Sequence, residues 1–143
     1  MAPAENFLIS YATCSIGFNT NFSLLEKLQA IADAGFQGIE LSFPDLLQFT
    51  KEKLNRDVED KGYEYICAGA EAIRGKCNEL GVKIMMLQPF SNFEGWPGGS
   101  NERKEVFEKA KGWIQIMQHA GIEMLQVCER PHPDLWIGEN LTY

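Results

Sequence analysis

The chain has 143 residues, 13 basic against 20 acidic side chains, a net charge of −7 and 45% hydrophobic content, enough apolar material for one packed domain. A pI near 4.8 argues against a general nucleic-acid binder, which would show a basic stripe, although a few local arginines can still hold a small anion. No run approaches the roughly 20 apolar residues of a membrane span, and residues 1 to 6 have neither the basic stretch nor the apolar segment of a signal peptide.

The expectation is therefore a cytoplasmic protein with no membrane or nucleic-acid partner. Cys14, Cys67, Cys77 and Cys128 stand far apart without a C-x-x-C pair, which suits reduced thiols serving as small apolar packers.

In chain order, a first strand is predicted at about residues 7 to 11. A helix follows, opened by the capping-box pattern Ser23-Leu24-Leu25-Glu26, with Leu24, Leu25, Leu28, Ile31 and Ala32 on one face. It ends in Ala34-Gly35-Phe36-Gln37-Gly38-Ile39-Glu40-Leu41. A short extra helix is predicted over 45 to 59, where lysines and acids crowd the surface. Ile66, Ala70, Ile73, Cys77 and Leu80 then make a second helical face before Leu80-Gly81-Val82-Lys83-Ile84-Met85-Met86-Leu87. A loop rich in Gly, Pro and aromatic residues covers 88 to 100. A third helix, capped by Ser100 or Asn101 and carrying Val106, Ala110, Trp113 and Met117, leads into Ala120-Gly121-Ile122-Glu123-Met124-Leu125-Gln126-Val127.

The three glycine-centred segments are copies of one unit: a helix end, a glycine, an apolar residue, a polar residue and a short strand. Glycine suits the left-handed position after a helix because it has no Cβ to clash. The strand runs are too short for helices and too apolar for exposed loops, as buried parallel strands are. Helices alternating with such strands imply right-handed crossovers and a parallel α/β sheet, either an open doubly wound sheet or part of a (β/α)8 barrel. The glycines lie 46 and 40 residues apart, and eight units of that size need about 320 residues, within the range of such barrels. The chain is thus read as one domain over residues 1 to 143 holding the first half of a barrel, four strands with their helices.

Barrels place their chemistry at the C-terminal ends of the strands. Ile39/Leu41, Met85/Leu87 and Leu125/Val127 are apolar and are predicted to face the helices. Glu40/Ser42, Met86/Gln88 and Gln126/Cys128 then face the lumen, and four of these six are polar. Polar groups in a buried lumen must be paired, either with a ligand or with one another. The loop Gln88-Pro89-Phe90-Ser91-Asn92-Phe93-Glu94-Gly95-Trp96-Pro97-Gly98-Gly99-Ser100 sets amide and carboxylate groups among three large rings. Such a loop suits a small, partly apolar substrate, or else serves as an aromatic-anchored plug of the barrel rim. Its glycines match neither phosphate-binding spacing.

The run Leu87-Gln88-Pro89-Phe90-Ser91-Asn92-Phe93-Glu94-Gly95-Trp96 resembles the third-strand signature of the 3-dehydroshikimate dehydratases, in the xylose-isomerase-like barrel superfamily. Leu8-Ile9-Ser10, Gly35-Phe36-Gln37-Gly38-Ile39-Glu40-Leu41, Lys111-Gly112-Trp113-Ile114 and Met124-Leu125-Gln126-Val127 share the likeness, which covers about residues 7 to 128. It implies a lyase that dehydrates 3-dehydroshikimate to protocatechuate with one divalent metal, manganese, magnesium or cobalt. It also implies a place in quinate or shikimate breakdown, with a biosynthetic setting equally compatible. In the family the metal ligands, the histidine base and the catalytic arginine come from strands five to eight. By this resemblance the present residues supply the substrate rim, namely Glu40, Gln88, Phe90, Asn92 and Gln126. They supply no metal ligand, and the catalytic residues are left unassigned.

Residues 129 to 143 depart from the family pattern. Glu129, His132 and Asp134 are metal-ligand types and Arg130 could hold a carboxylate, but two prolines leave them without a regular element, and a solvated tail is the expectation. His119 reads as a charge at a helix C-terminus. The segment 1 to 143 is thereby expected to be a truncated barrel, weak or inactive in isolation. A sugar or sugar-phosphate isomerase or epimerase of the same superfamily is the alternative activity, and a non-catalytic remnant or interaction protein the alternative class. Open edges on the first and fourth strands lead to the expectation of a homodimer.

Overall fold

In a computed structural model, residues 8–17 and 22–128 are described. Among them the order is β1 (Ser10–Ala12), a 3-10 turn (Thr13–Ser15), α1 (Leu24–Asp33), β2 (Gly38–Ser42), α2 (Phe43–Leu54), α3 (Tyr63–Leu80), β3 (Lys83–Ser91), α4 (Asn101–Ala120) and β4 (Met124–Cys128). The four strands form one parallel sheet in the order β1-β2-β3-β4. Sequential order is barrel topology, and the switch of strand order that marks the doubly wound alternative does not occur among the described strands. The sheet is a barrel segment of four strands.

The repeat is present as geometry. Gly35, Gly81 and Gly121 have φ of 85°, 69° and 69°, a region where other residues clash. Each N–H donates to the carbonyl three residues back, and the next N–H to the one five back: Phe36 to Ile31, Val82 to Cys77, Ile122 to Met117. Phe36, Val82 and Ile122 then fold back onto the core, as the hydrophobic contact of this cap requires. The Ser23–Glu26 capping box is complete, and Ser100 is the cap of α4, accepting from the Arg103 N–H at 3.1 Å.

Leu28, Ile31, Ile39, Leu41, Leu46, Ile66, Ile73, Leu87 and Ile116 are all buried between the sheet and the helices. Helix contacts are close where side chains vanish. A Cβ at Gly69 would run into Thr50, and one at Gly112 into the Tyr63 ring. Lys27 of α1 and Asp45 of α2 form a largely buried ion pair at 2.8 Å. Cys67 and Cys77 are buried, and burial pushes the Cys77 thiol up to about 12. Cys14 is exposed rather than a packer.

Four boundaries and orientations differ from the sequence expectation. Strand β1 begins later, at Ser10, and residue 7 lies outside the described residues. Helix α2 starts directly at the end of β2, with Pro44 in its first turn, and stops at Asn55 in a left-handed conformation (φ 48°), so it covers 43 to 54 rather than 45 to 59. Strand β3 has nine residues and runs through Pro89. Its pairing with β4 breaks between Leu87 and Phe90, where a residue without an N–H does no harm to the ladder. The Gln88–Pro89 peptide bond is cis. Finally, the β2–β3 register shifts between Ile39 and Glu40, pairing Ile39 with Ile84 and Glu40 with Met86. Ile84, not Met85, therefore joins Leu87 on the helix side. Met85 turns to Gly38, where a Cβ would stand 3.0 Å from its Cγ. Period-two counting cannot see a bulge, which adds one residue to one strand only.

Candidate functional site

Glu40, Ser42 and Gln88 meet at the C-terminal ends of β2 and β3. Ser42 is paired with Gln88 in register, and Glu40 sits one step below. The Gln88 amide Nε2 donates to Glu40 Oε2 at 3.2 Å. Gln88 is 9% exposed and Glu40 half-buried. Beside them the Ser42 N–H donates to the buried Thr13 hydroxyl at 3.0 Å, which joins the end of β1 to the same layer. Thr13 follows the predicted strand and the sequence reading missed it; a hydroxyl just past a strand end was the available signal.

The Glu40–Gln88 pair leaves the second carboxylate oxygen, the amide oxygen and one amide N–H without a protein partner among the described residues. Acceptors with a single donor at the mouth of a half-open lumen suit the hydroxyl groups of a small polar ligand. Gln126, on β4, is exposed and lies level with the irregular Gln88–Pro89 stretch. Met86 and Met124 face the same side, paired across β3 and β4.

Phe90 is placed elsewhere. It is 1% exposed and lies in the helix layer, edge-on to Trp113 at 5.0 Å and 5.7 Å from Phe93. Its ring anchors the strand end instead of presenting itself at the lumen rim. The chain of rings continues from Trp113 to Phe43, stacked at 4.5 Å, and from Phe93 to Phe107 at 5.7 Å. The loop after β3 is thus held against α4 by its aromatic residues. Asn92, exposed and left-handed (φ 62°), starts that loop, and its carbonyl accepts from Trp96 Nε1 at 2.9 Å.

A second group of polar residues, missed in the sequence, stands behind the end of β3. The Lys109 ammonium of α4 donates to the Ser91 carbonyl at 3.0 Å and lies 4.5 Å from the Phe90 ring centre. Burial holds its pKa below the usual lysine range, while Asp60 opposes the shift. Tyr63 is raised by burial, with a smaller push from Asp60.

Among the described residues, no three His, Cys, Asp or Glu side chains stand together as a metal cage. Among the described residues the lumen pair is one carboxylate beside an amide, which does not fit a divalent ion by itself. Glu129, Arg130, His132 and Asp134 lie outside the described residues. His119 is at the end of α4, 4.0 Å from Glu71 and exposed. No helix among the described residues is long and apolar enough to cross a membrane.

A sequentially ordered parallel sheet, helix-backed and carrying polar residues at its C-terminal ends, defines a barrel-type α/β protein. The xylose isomerase-like TIM barrel family model matches residues 28–141, and the chain belongs to that family. It is 30% identical over 119 residues to a 3-dehydroshikimate dehydratase of Pseudomonas putida, covering 83% of this chain and 16% of that protein. Similar proteins of the same name occur in Pseudomonas aeruginosa, at 34% over 82% of this chain and 15% of the relative, and in Neurospora crassa, at 27% over 83% and 33%. The solved structure of a xylose isomerase-like TIM barrel/4-hydroxyphenylpyruvate dioxygenase fusion protein superposes with a TM-score of 0.64 at 30% identity, covering 87% of this chain and 16% of that one. The chain thus spans between about a sixth and a third of the length of these curated relatives.

Proposed function

We propose that this chain is the opening segment of a 3-dehydroshikimate dehydratase-type barrel, a lyase removing water from 3-dehydroshikimate to form protocatechuate. The observation that carries the reading is that three curated relatives, each matched over more than four-fifths of this chain, bear that one name. The lumen pair supports it. Glu40 and Gln88 can accept hydrogen bonds from the ring hydroxyls of a cyclic hydroxy acid and so fix its orientation at the strand ends. In this reading a divalent metal, manganese, magnesium or cobalt, is held by residues beyond β4, and proton transfer falls to that part as well. The residues described here bind and orient. The chain acts in the cytoplasm, on a small molecule, with no nucleic-acid or membrane partner, and its open β1 and β4 edges pair with a second copy when no further strands cover them.

The test is a chimera in which residues 8 to 128 replace the matching segment of the Pseudomonas putida relative, supplied with each metal in turn. Formation of the aromatic product, followed by its ultraviolet absorbance, is expected from the chimera and only weakly or not at all from the 143-residue chain. A folded chimera that leaves 3-dehydroshikimate untouched but interconverts sugars or sugar phosphates would overturn the reading in favour of an isomerase or epimerase.

A further inference from the structure

Behind the end of β3, away from the lumen, a cleft of about 220 Å³ opens between the α2–α3 connection and α4. Its floor is the stacked Phe43–Trp113 pair, and Asp60, Lys61, Tyr63 and Lys109 line it. Its own lining carries two ammonium groups against one carboxylate. Lys109 spends one proton on the Ser91 carbonyl and holds its place over the Phe90 and Trp113 rings. The Lys61 ammonium makes no hydrogen bond or ion pair among the described residues, and neither does the Tyr63 hydroxyl. A second cleft shares Lys61, Ser91 and Lys109 and adds Glu102 and Glu105, which form no ion pair with either lysine among the described residues. Of the two, only the first combines an apolar floor, spare donors and a lining with more cations than carboxylates.

We infer that this cleft binds a small monocarboxylate carried on a six-membered ring, with the ring on the Phe43–Trp113 floor and the carboxylate between Lys109 and Lys61. A flat ring of that size fits the volume, and desolvated aromatic walls favour it over an inorganic anion. The partly buried ammonium of Lys109 supplies the strong, charge-assisted hydrogen bond. Asp60 sets the limit on affinity, because its carboxylate competes for the same cations. The site uses none of the lumen residues and is independent of the reaction proposed above.

Titration of the 143-residue protein with 4-fluorobenzoate, followed by fluorine NMR, tests the inference, with 4-fluorobenzyl alcohol as the neutral comparison. Saturable binding of the acid is expected, at least about tenfold tighter than the alcohol, the usual worth of one charge-assisted bond. Lys109→Met weakens it about tenfold and Lys61→Met about threefold, while Asp60→Asn strengthens it about threefold. Lys109 also holds the end of β3, so its variant is scored only if folded. Lys61 and Asp60 are exposed, and their opposite effects carry the test without it. No saturable binding, equal binding of acid and alcohol, or affinity unmoved by both Asp60→Asn and Lys61→Met would each overturn the site.

Discussion

At the end of the sheet where β2, β3 and β4 begin, Gly35, Gly81 and Gly121 repeat one helix cap with the same pair of backbone hydrogen bonds. At the opposite end each strand leaves in its own way. β1 passes into a 3-10 turn, β2 runs straight into α2, and β3 extends to Ser91 and a loop tied down by rings. The repeating end holds the fold, and the varied end carries the polar side chains. That division is general to barrels, whose bottom faces serve stability and whose top faces serve chemistry.

The largest challenge to this division is a residue of the varied end that is buried in the core. Trp113 is 3% exposed and joins Phe43, Phe90 and the cation of Lys109, so Trp113→Ala is expected to cost about 3–5 kcal/mol of stability in urea unfolding. A loss below about 1 kcal/mol would mean that the aromatic chain is not part of the core. Gly81→Ala isolates the repeated cap, because a Cβ there meets nothing within 4 Å and only the φ of 69° opposes it. The expected loss is about 1–2 kcal/mol, and an unchanged midpoint would remove the left-handed caps from the account.

Ser23→Ala removes the hydroxyl of the capping box and is expected to cost about 1 kcal/mol at neutral pH. Hydrogen bonds from the Ser23 hydroxyl and N–H hold the Glu26 carboxylate below its ordinary value of 4.5. Their contribution is therefore complete above that value and is lost as pH falls through the lowered one. The difference between wild type and variant should shrink in acid, and a constant difference would separate Glu26 from the cap. Glu40→Gln is expected to have the smallest effect on folding, under about 0.5 kcal/mol, because Glu40 is half-buried with one hydrogen bond. In the chimera the same change should lower turnover about tenfold or more. A large stability loss with turnover intact would make the Glu40–Gln88 pair a structural tie.

Much of the architecture was legible because its cause is local. Gly81 and Gly121 end helices through their own backbone freedom, and Ser23 and Glu26 satisfy each other across one turn. Alternation placed Glu40 and Gln88 on one face of the sheet, where they share a hydrogen bond. It failed at Met85, where a bulge breaks the period. The rim position that the resemblance implied for Phe90 also failed, because its ring joins the core beside Trp113, 23 residues away in the chain.

The amino-acid order by itself therefore determined the repeated βα unit, the helix caps and the polar character of the strand ends, since these rest on contacts within a few residues. Tertiary structure alone decided the extent of β3, the burial of Phe90 and the gathering of Lys61, Tyr63, Lys109 and Trp113 behind it. With Phe90 those residues lie on three separate segments, and only packing the helices against the sheet brings their charges and rings within reach of one another.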